Sequence, residues 1–286
     1  MFEDETAFLD AVKSTPIPLH QQVDAVFSGS QALTRASIPI RNVIQAAGQK
    51  NDYEQAIAGS YYRMSLWMES LYHLNHKFHF QAALHAARCL YEIWIDLVEL
   101  KNDHSLAEKF FDFVFVQRYG AAYLRVTTLD KHRVTDAKVD AIERPYVVKH
   151  QAKYDTVREK HWGRDGNGKI ITPKHWSGSD LAARAQRLGK DEEIRYRELY
   201  SRLCWYTHGG VTGVANISAD GLEASFAYGH GLCQTFFRDA TNLVATEFGV
   251  YAANLELKKP IEDFYSASAA KLAAYVQSTL KSKEDA

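Results

Sequence analysis

The chain has 286 residues, 46% of them hydrophobic and 24% charged, with 34 basic and 35 acidic side chains for a net charge of −1. That balance excludes disordered and fibrous classes, and no global charge advertises a nucleic acid or a membrane surface as partner. Only 16 Gly and 6 Pro are present, about 8% of the chain against roughly 12% in average usage, which points to long helices. Cys89, Cys204 and Cys233 are too few and too scattered for a disulfide framework and read as small core residues of a reducing, cytoplasmic compartment. The N-terminus MFEDETAFLDAVK is acidic where a signal peptide is basic, and no apolar run reaches the length of a membrane span.

In chain order, residues 18–45 are of mixed polarity and punctuated by Pro16, Pro18 and Pro39. Asn51-Asp52 then opens a proline-free pattern that predicts a helix over 52–75. A second helix is predicted over about 80–100. Its polar residues Gln81, His85, Arg88, Glu92, Asp96 and Glu99 fall three or four apart, forming one stripe on an otherwise apolar helix. The stripe reads either as ion pairs on an exposed edge or as the wall of a partly buried groove, where Arg88 and Glu92 would order side chains arriving from another helix. Helices are expected from Ser105 and again over 136–162. The break WGRDGNGKIITPKHWSGSD follows, with a turn at Asp165–Gly168 and a short strand or arm at Lys169–Thr172. Ser179 or Asp180 caps a short helix ending at Gly189, and another helix runs from Asp191 to Gly209-Gly210. A hairpin is expected around Asp220-Gly221, then a helix over about 232–255 and one more over 264–280. The fold class is therefore all-α, a helical bundle with one or two minor β-hairpins in one domain. Residues 1–50 are expected at its periphery, a core over 52–256, and a C-terminal helix and tail over 257–286.

Several constellations carry chemistry on paper. Gly163 to Lys169 has the spacing of a phosphate-binding loop, but Ile170 stands where a hydroxyl is needed and no buried strand precedes it, so it reads as a surface turn and no cofactor is assigned. His73, His76, His79 and His85 cluster at a helix junction, but no Asp, Glu or Cys falls at a matching offset between His73 and His79, and no metal site is assigned to them. The segment 144–174 interleaves Lys149, Lys153, Arg158, Lys160 and Arg164 with aromatic rings, a composition that suits a single-stranded nucleic acid but reads first as a solvated charged helix. The run Phe110, Phe111, Phe113, Val114, Phe115, Val116 offers more apolar surface than one bundle face uses, which suggests a homodimer.

The strongest chemical candidate is Arg202-Leu203-Cys204-Trp205-Tyr206-Thr207-His208, an arginine and a histidine separated by five residues. This arrangement resembles the HEPN superfamily, many of whose members are metal-independent endoribonucleases carrying Arg, four to six residues, then His near the end of a late helix. The stretch HWSGSDLAARAQRLG followed by YRELYSRLCWYTHGG, with Arg88-Cys89-Leu90-Tyr91-Glu92 before it, is similar to a bacterial helical domain family of unknown function. The resemblance covers about residues 80–215. It implies a homodimer acting on RNA, in bacterial defence or a stress response, with Arg202 and His208 catalytic and Arg88 and Glu92 supporting. On a uniform helix, Arg197 and Ser201 share a face with His208 better than Arg202 does. Three readings stay open: a metal-independent endoribonuclease; a non-catalytic interaction or sensor module with a cognate protein partner, in which His208 merely ends its helix; and a metal-dependent hydrolase around the histidine cluster, which would require bound metal.

Overall fold

A computed structural model describes residues 19–207 and 219–264. Among them every regular element is helical. The first is α1 (Leu19–Ala47), followed by α2 (Asp52–Leu71), α3 (Phe80–Asn102), α4 (Leu106–His132) and α5 (Arg144–Trp162). After an irregular stretch come α6 (Leu181–Leu188), α7 (Lys190–Arg195), a π-turn (Tyr196–Tyr200) and α8 (Ser201–Thr207). A long α9 (Ala219–Glu247) and a short α10 (Val250–Ala253) complete the described bundle. No described helix is long and apolar enough to cross a membrane.

Local chemistry explains the boundaries. Asn51 caps α2 by accepting the Glu54 amide at 2.9 Å, with Asp52 and Glu54 in the first turn against the positive end of the dipole. Asp180 caps α6 through the Ala183 amide at 2.8 Å, and Gly189, at φ 117, ends it. His76 and His79 cap one another's backbone across the single-turn helix Lys77–His79, so two of the clustered histidines do capping work.

Two expectations need correction. No β-hairpin occurs among the described residues. Lys169–Thr172 forms only an isolated antiparallel bridge, Arg164 with Ile170, and Asp220-Gly221 lies inside α9, where packing along the bundle overrides the local turn signal. Residues 211–218 lie outside the described residues. The segment expected at the periphery instead contributes to the core: α1 runs through Pro39 and buries Leu33, Ile40 and Ile44 completely. The proline removes one backbone bond, which apolar burial along the rest of the helix outweighs.

The centre of the bundle is α9, packed chiefly on α3 and α1 and then on α2. Its buried Phe226, Phe236, Phe237 and Val244 meet Leu84, Leu90 and Tyr61 in one continuous core. The helices approach most closely at Gly229, where a Cβ would stand 3.0 Å from the backbone of Ala83 and Leu84. Gly229→Ala is therefore expected to destabilise by about 1–3 kcal/mol despite alanine's better helix propensity. Gly231→Ala, two residues on and facing open space, should gain about 0.5–1 kcal/mol. Urea midpoints of the two variants that move in the same direction would contradict this packing.

Helices α4 and α5 pair with each other and touch the bundle mainly through α2, while α6, α7 and α8 lie across α3. Phe113 and Val116 of the apolar run are buried within the chain; Phe110, Phe111 and Phe115 are half-buried and Val114 is exposed.

Candidate functional site

The polar stripe of α3 faces α6, the π-turn and the loop before α6, and divides into two clusters. In the first, Arg184 of α6 is buried beneath the loop, its side chain 2% exposed. Its guanidinium donates to Glu99 Oε2 at 2.7 Å, to Asp96 Oδ1, and to His175 Nε2 at 3.0 Å, and lies over the Trp176 ring. Trp176 donates its indole N–H to Asp96 at 2.8 Å, and Arg187 reaches Glu99 at 2.8 Å. Burial pushes the Asp96 carboxyl up, with Arg184 pulling the other way. His175 is engaged on both sides: Arg184 lies 3.0 Å from Nε2, and Nδ1 stands 3.1 Å from Ser177 Oγ and 3.2 Å from the Ser177 backbone N–H. These contacts on both ring nitrogens wedge the loop in place.

Desolvation, and next Arg184, lower the His175 pKa to about 3, while burial lowers that of His230 in α9 to about 4. Below the ordinary imidazole value of about 6.5, the unfolded chain takes up protons that the folded chain refuses. Both contributions are thus complete above that pH and fade as pH falls toward the folded values. The urea midpoint should drop between pH 7.5 and 4.5, and less steeply in His175→Gln. Parallel profiles for parent and variant would contradict the assignment.

The second cluster stands at the π-turn. Tyr200 donates its hydroxyl to Glu92 Oε1 at 2.7 Å, and Arg88 Nε lies 3.0 Å from the same oxygen and 3.2 Å from Tyr200 Oη. Arg88 also covers the Tyr200 ring, 5.3 Å from its centroid. Burial, then the bond to Glu92, pushes the Tyr200 hydroxyl up, so it stays a donor. The neighbouring Cys204 thiol is likewise raised by burial, with Arg88 opposing. A π-turn inserts one residue into the helical count. Between them the two clusters border a cleft of about 400 Å³, lined by Glu92, Tyr200, Thr172, Lys174, His175 and Arg184 among others. A cation, a carboxylate and a phenol at its edge can orient an anionic or polar guest.

The site residues named from sequence therefore part company. Arg88 and Glu92 meet around Tyr200, a side chain that does arrive from another helix; Glu92 and Tyr200 line the cleft, and Arg88 contacts both without lining it. Arg197 is exposed and paired with Glu193 at 2.6 Å, and Ser201 donates to the Arg197 carbonyl of its own helix. Neither lines the cleft. Arg202 is half-buried in α8, and His208 lies outside the described residues. Because the helix changes phase within 196–200, uniform steps from Arg197 to His208 do not describe which residues share a face. Of the basic set, Arg158 is held by Asp155 and Thr172, Lys160 by Glu108, and Arg164 by Glu159, while Lys149 and Lys153 are exposed. His85 touches Cys89 and Trp67, away from the His76–His79 pair.

Sequence reasoning passed over Arg184, His175, Trp176 and Tyr200. The signal for them was the stripe itself, since Asp96 and Glu99 on a buried helix require a cation from elsewhere, and Arg184 and Arg187 follow the α6 cap at helical spacing.

A helical bundle carrying a cleft bordered by two polar clusters on α3, α6 and the π-turn is the class of protein that these observations define. The chain belongs to a family of unknown function (DUF5677), whose model matches residues 53–221, from α2 through the cleft to the start of α9. No curated protein and no solved structure matches it.

Proposed function

We propose that the chain is an HEPN-like, metal-independent endoribonuclease, working in bacterial defence or a stress response, with the scissile phosphate received beside Arg88, Glu92 and Tyr200. The observation that carries the reading is the Tyr200 hydroxyl on Glu92 under the Arg88 guanidinium. Tyr200 belongs to the helical run that leads through Arg202 toward His208, so the ordered cluster and the Arg–His motif share one segment. In the proposed step the RNA 2′-hydroxyl attacks the adjacent phosphorus and gives its proton to a base. The P–O5′ bond breaks, and the departing oxygen takes a proton. His208 serves as that acid–base group, and Arg202 with Arg88 balances the charge on the phosphoryl oxygens. Incubation of purified protein with single-stranded RNA in excess chelator should yield 2′,3′-cyclic phosphate ends. RNA left intact would end the reading.

A second reading is favoured by the same contacts. Arg88, Glu92 and Tyr200 satisfy one another, as a structural clasp between α3 and the π-turn also requires. In that case the domain is an interaction or sensor module with a protein partner, and Glu92→Gln lowers stability without an activity to lose.

A further inference from the structure

The α4–α5 pair contains an aromatic stack that begins next to the cleft and ends open to solvent. Arg158 donates to Thr172 of the cleft wall at 2.6 Å, and its guanidinium lies 4.1 Å from the Tyr154 ring centroid. Tyr154 stacks on Tyr119 at 4.0 Å with 23° between planes, and Tyr119 on Tyr123 at 6.2 Å with 15°. The inner rings are buried, Tyr119 to 1% and Tyr154 to 8% exposure, whereas Tyr123 is 49% exposed. A series of near-parallel planes thus terminates in a ring with an exposed surface. On the paired helix α5 two cations are left over. Asp155 is taken by Arg158 and Gln151, and Glu143 by Arg125. Lys149 and Lys153 are exposed, with no carboxylate at ion-pair distance among the described residues. Lys149 and Lys153 share a helix face with Tyr146 and His150, by their three- and four-residue spacing, and Lys153 sits over Phe115 at 4.8 Å.

We infer that this face binds single-stranded RNA, with an unpaired base continuing the stack on Tyr123 and the flanking phosphates drawn to Lys149 and Lys153. Every base has a π-face, so an open-ended stack accepts bases without reading sequence, and a duplex, whose bases are already stacked, gains little from it. The exposed ammonium groups of Lys149 and Lys153 supply the part that depends on salt. The choice of RNA rests on the cleavage reading of the cleft; the stacking does not. The basic set named from sequence is thereby reduced to Lys149 and Lys153, because Arg158, Lys160 and Arg164 are already engaged.

The test is fluorescence anisotropy of the full chain with a labelled single-stranded 2′-O-methyl RNA, which lacks the attacking hydroxyl and so reports binding whether or not the protein cleaves. Tyr123→Ala should weaken binding about tenfold or more, and Tyr123→Phe should bind like the parent. Lys149→Ala and Lys153→Ala should each reduce the slope of log affinity against log salt by about 0.7. Tyr123 is exposed, so its loss should not unfold the protein, and a melting curve checks this. The inference is overturned if Tyr123→Ala binds as the parent does, if the parent binds duplex as well as single strands, or if Tyr123→Ala changes the sedimentation mass instead of the affinity. Binding retained without cleavage of ordinary RNA would refute the cleft reading alone.

Discussion

Arg184→Ala is expected to destabilise the protein by about 3–5 kcal/mol, read from urea denaturation at neutral pH. The side chain is 2% exposed and bonded to Asp96, Glu99 and His175, so its loss leaves two carboxylates on a buried helix face without their main cation. Arg187 still reaches Glu99, but it is half-exposed and has no bond to Asp96. Most of the cost comes from the charges left behind. Replacing Arg184, Asp96 and Glu99 together by apolar residues of similar volume should therefore recover much of it, since a buried ion cluster taken as a whole contributes little. A single substitution costing under about 1 kcal/mol would mean that water reaches the cluster. The same variant should loosen the wall of the cleft, because Arg184 fixes both the His175 ring and, through Asp96, Trp176.

The second large effect concerns His208. Removal of a general acid–base group lowers a rate by about 10²–10⁴. His208→Ala is accordingly expected to lose RNA cleavage by that factor, in chelator, while melting near the parent temperature. Arg88→Ala should lose cleavage too, but with some stability, since it also releases Glu92 and Tyr200 from their shared contact. The pair of variants separates the two readings of the site. If His208→Ala unfolds the protein, the residue is architectural. If both variants only shift the melting temperature and the parent cleaves nothing, the cluster is a clasp and the interaction module is the better description. Because Tyr123 stands apart from this cluster, its variants report on RNA capture independently of both.

The chemistry of the cleft also separates roles that a list of titratable residues would merge. His175 is a cleft histidine, yet its two nitrogens are committed and its proton affinity is low, so at neutral pH it acts as a neutral wedge. Glu92 shares one oxygen between a phenol and a guanidinium, which orients the carboxylate.

What the sequence determined by itself is local and periodic. Asn51 with Glu54 and Asp180 with Gly189 mark helix ends, because capping is decided within one turn. The three- and four-residue spacing from Gln81 to Glu99 defined the polar stripe, while what covers it came only with the fold. Tertiary structure decided the rest. Asp220-Gly221 and Pro39, both local breakers, lie inside helices because burial along α9 and α1 outweighs them. The partners of Asp96 and Glu99 come from 80 to 88 residues away, a distance over which no periodicity carries information. The π-turn at 196–200 shifted the helical count before Arg202, and the stack from Arg158 to Tyr123 exists only because α4 and α5 pair side by side. Local rules set which stretches are helical, and long-range packing set which of their polar side chains met.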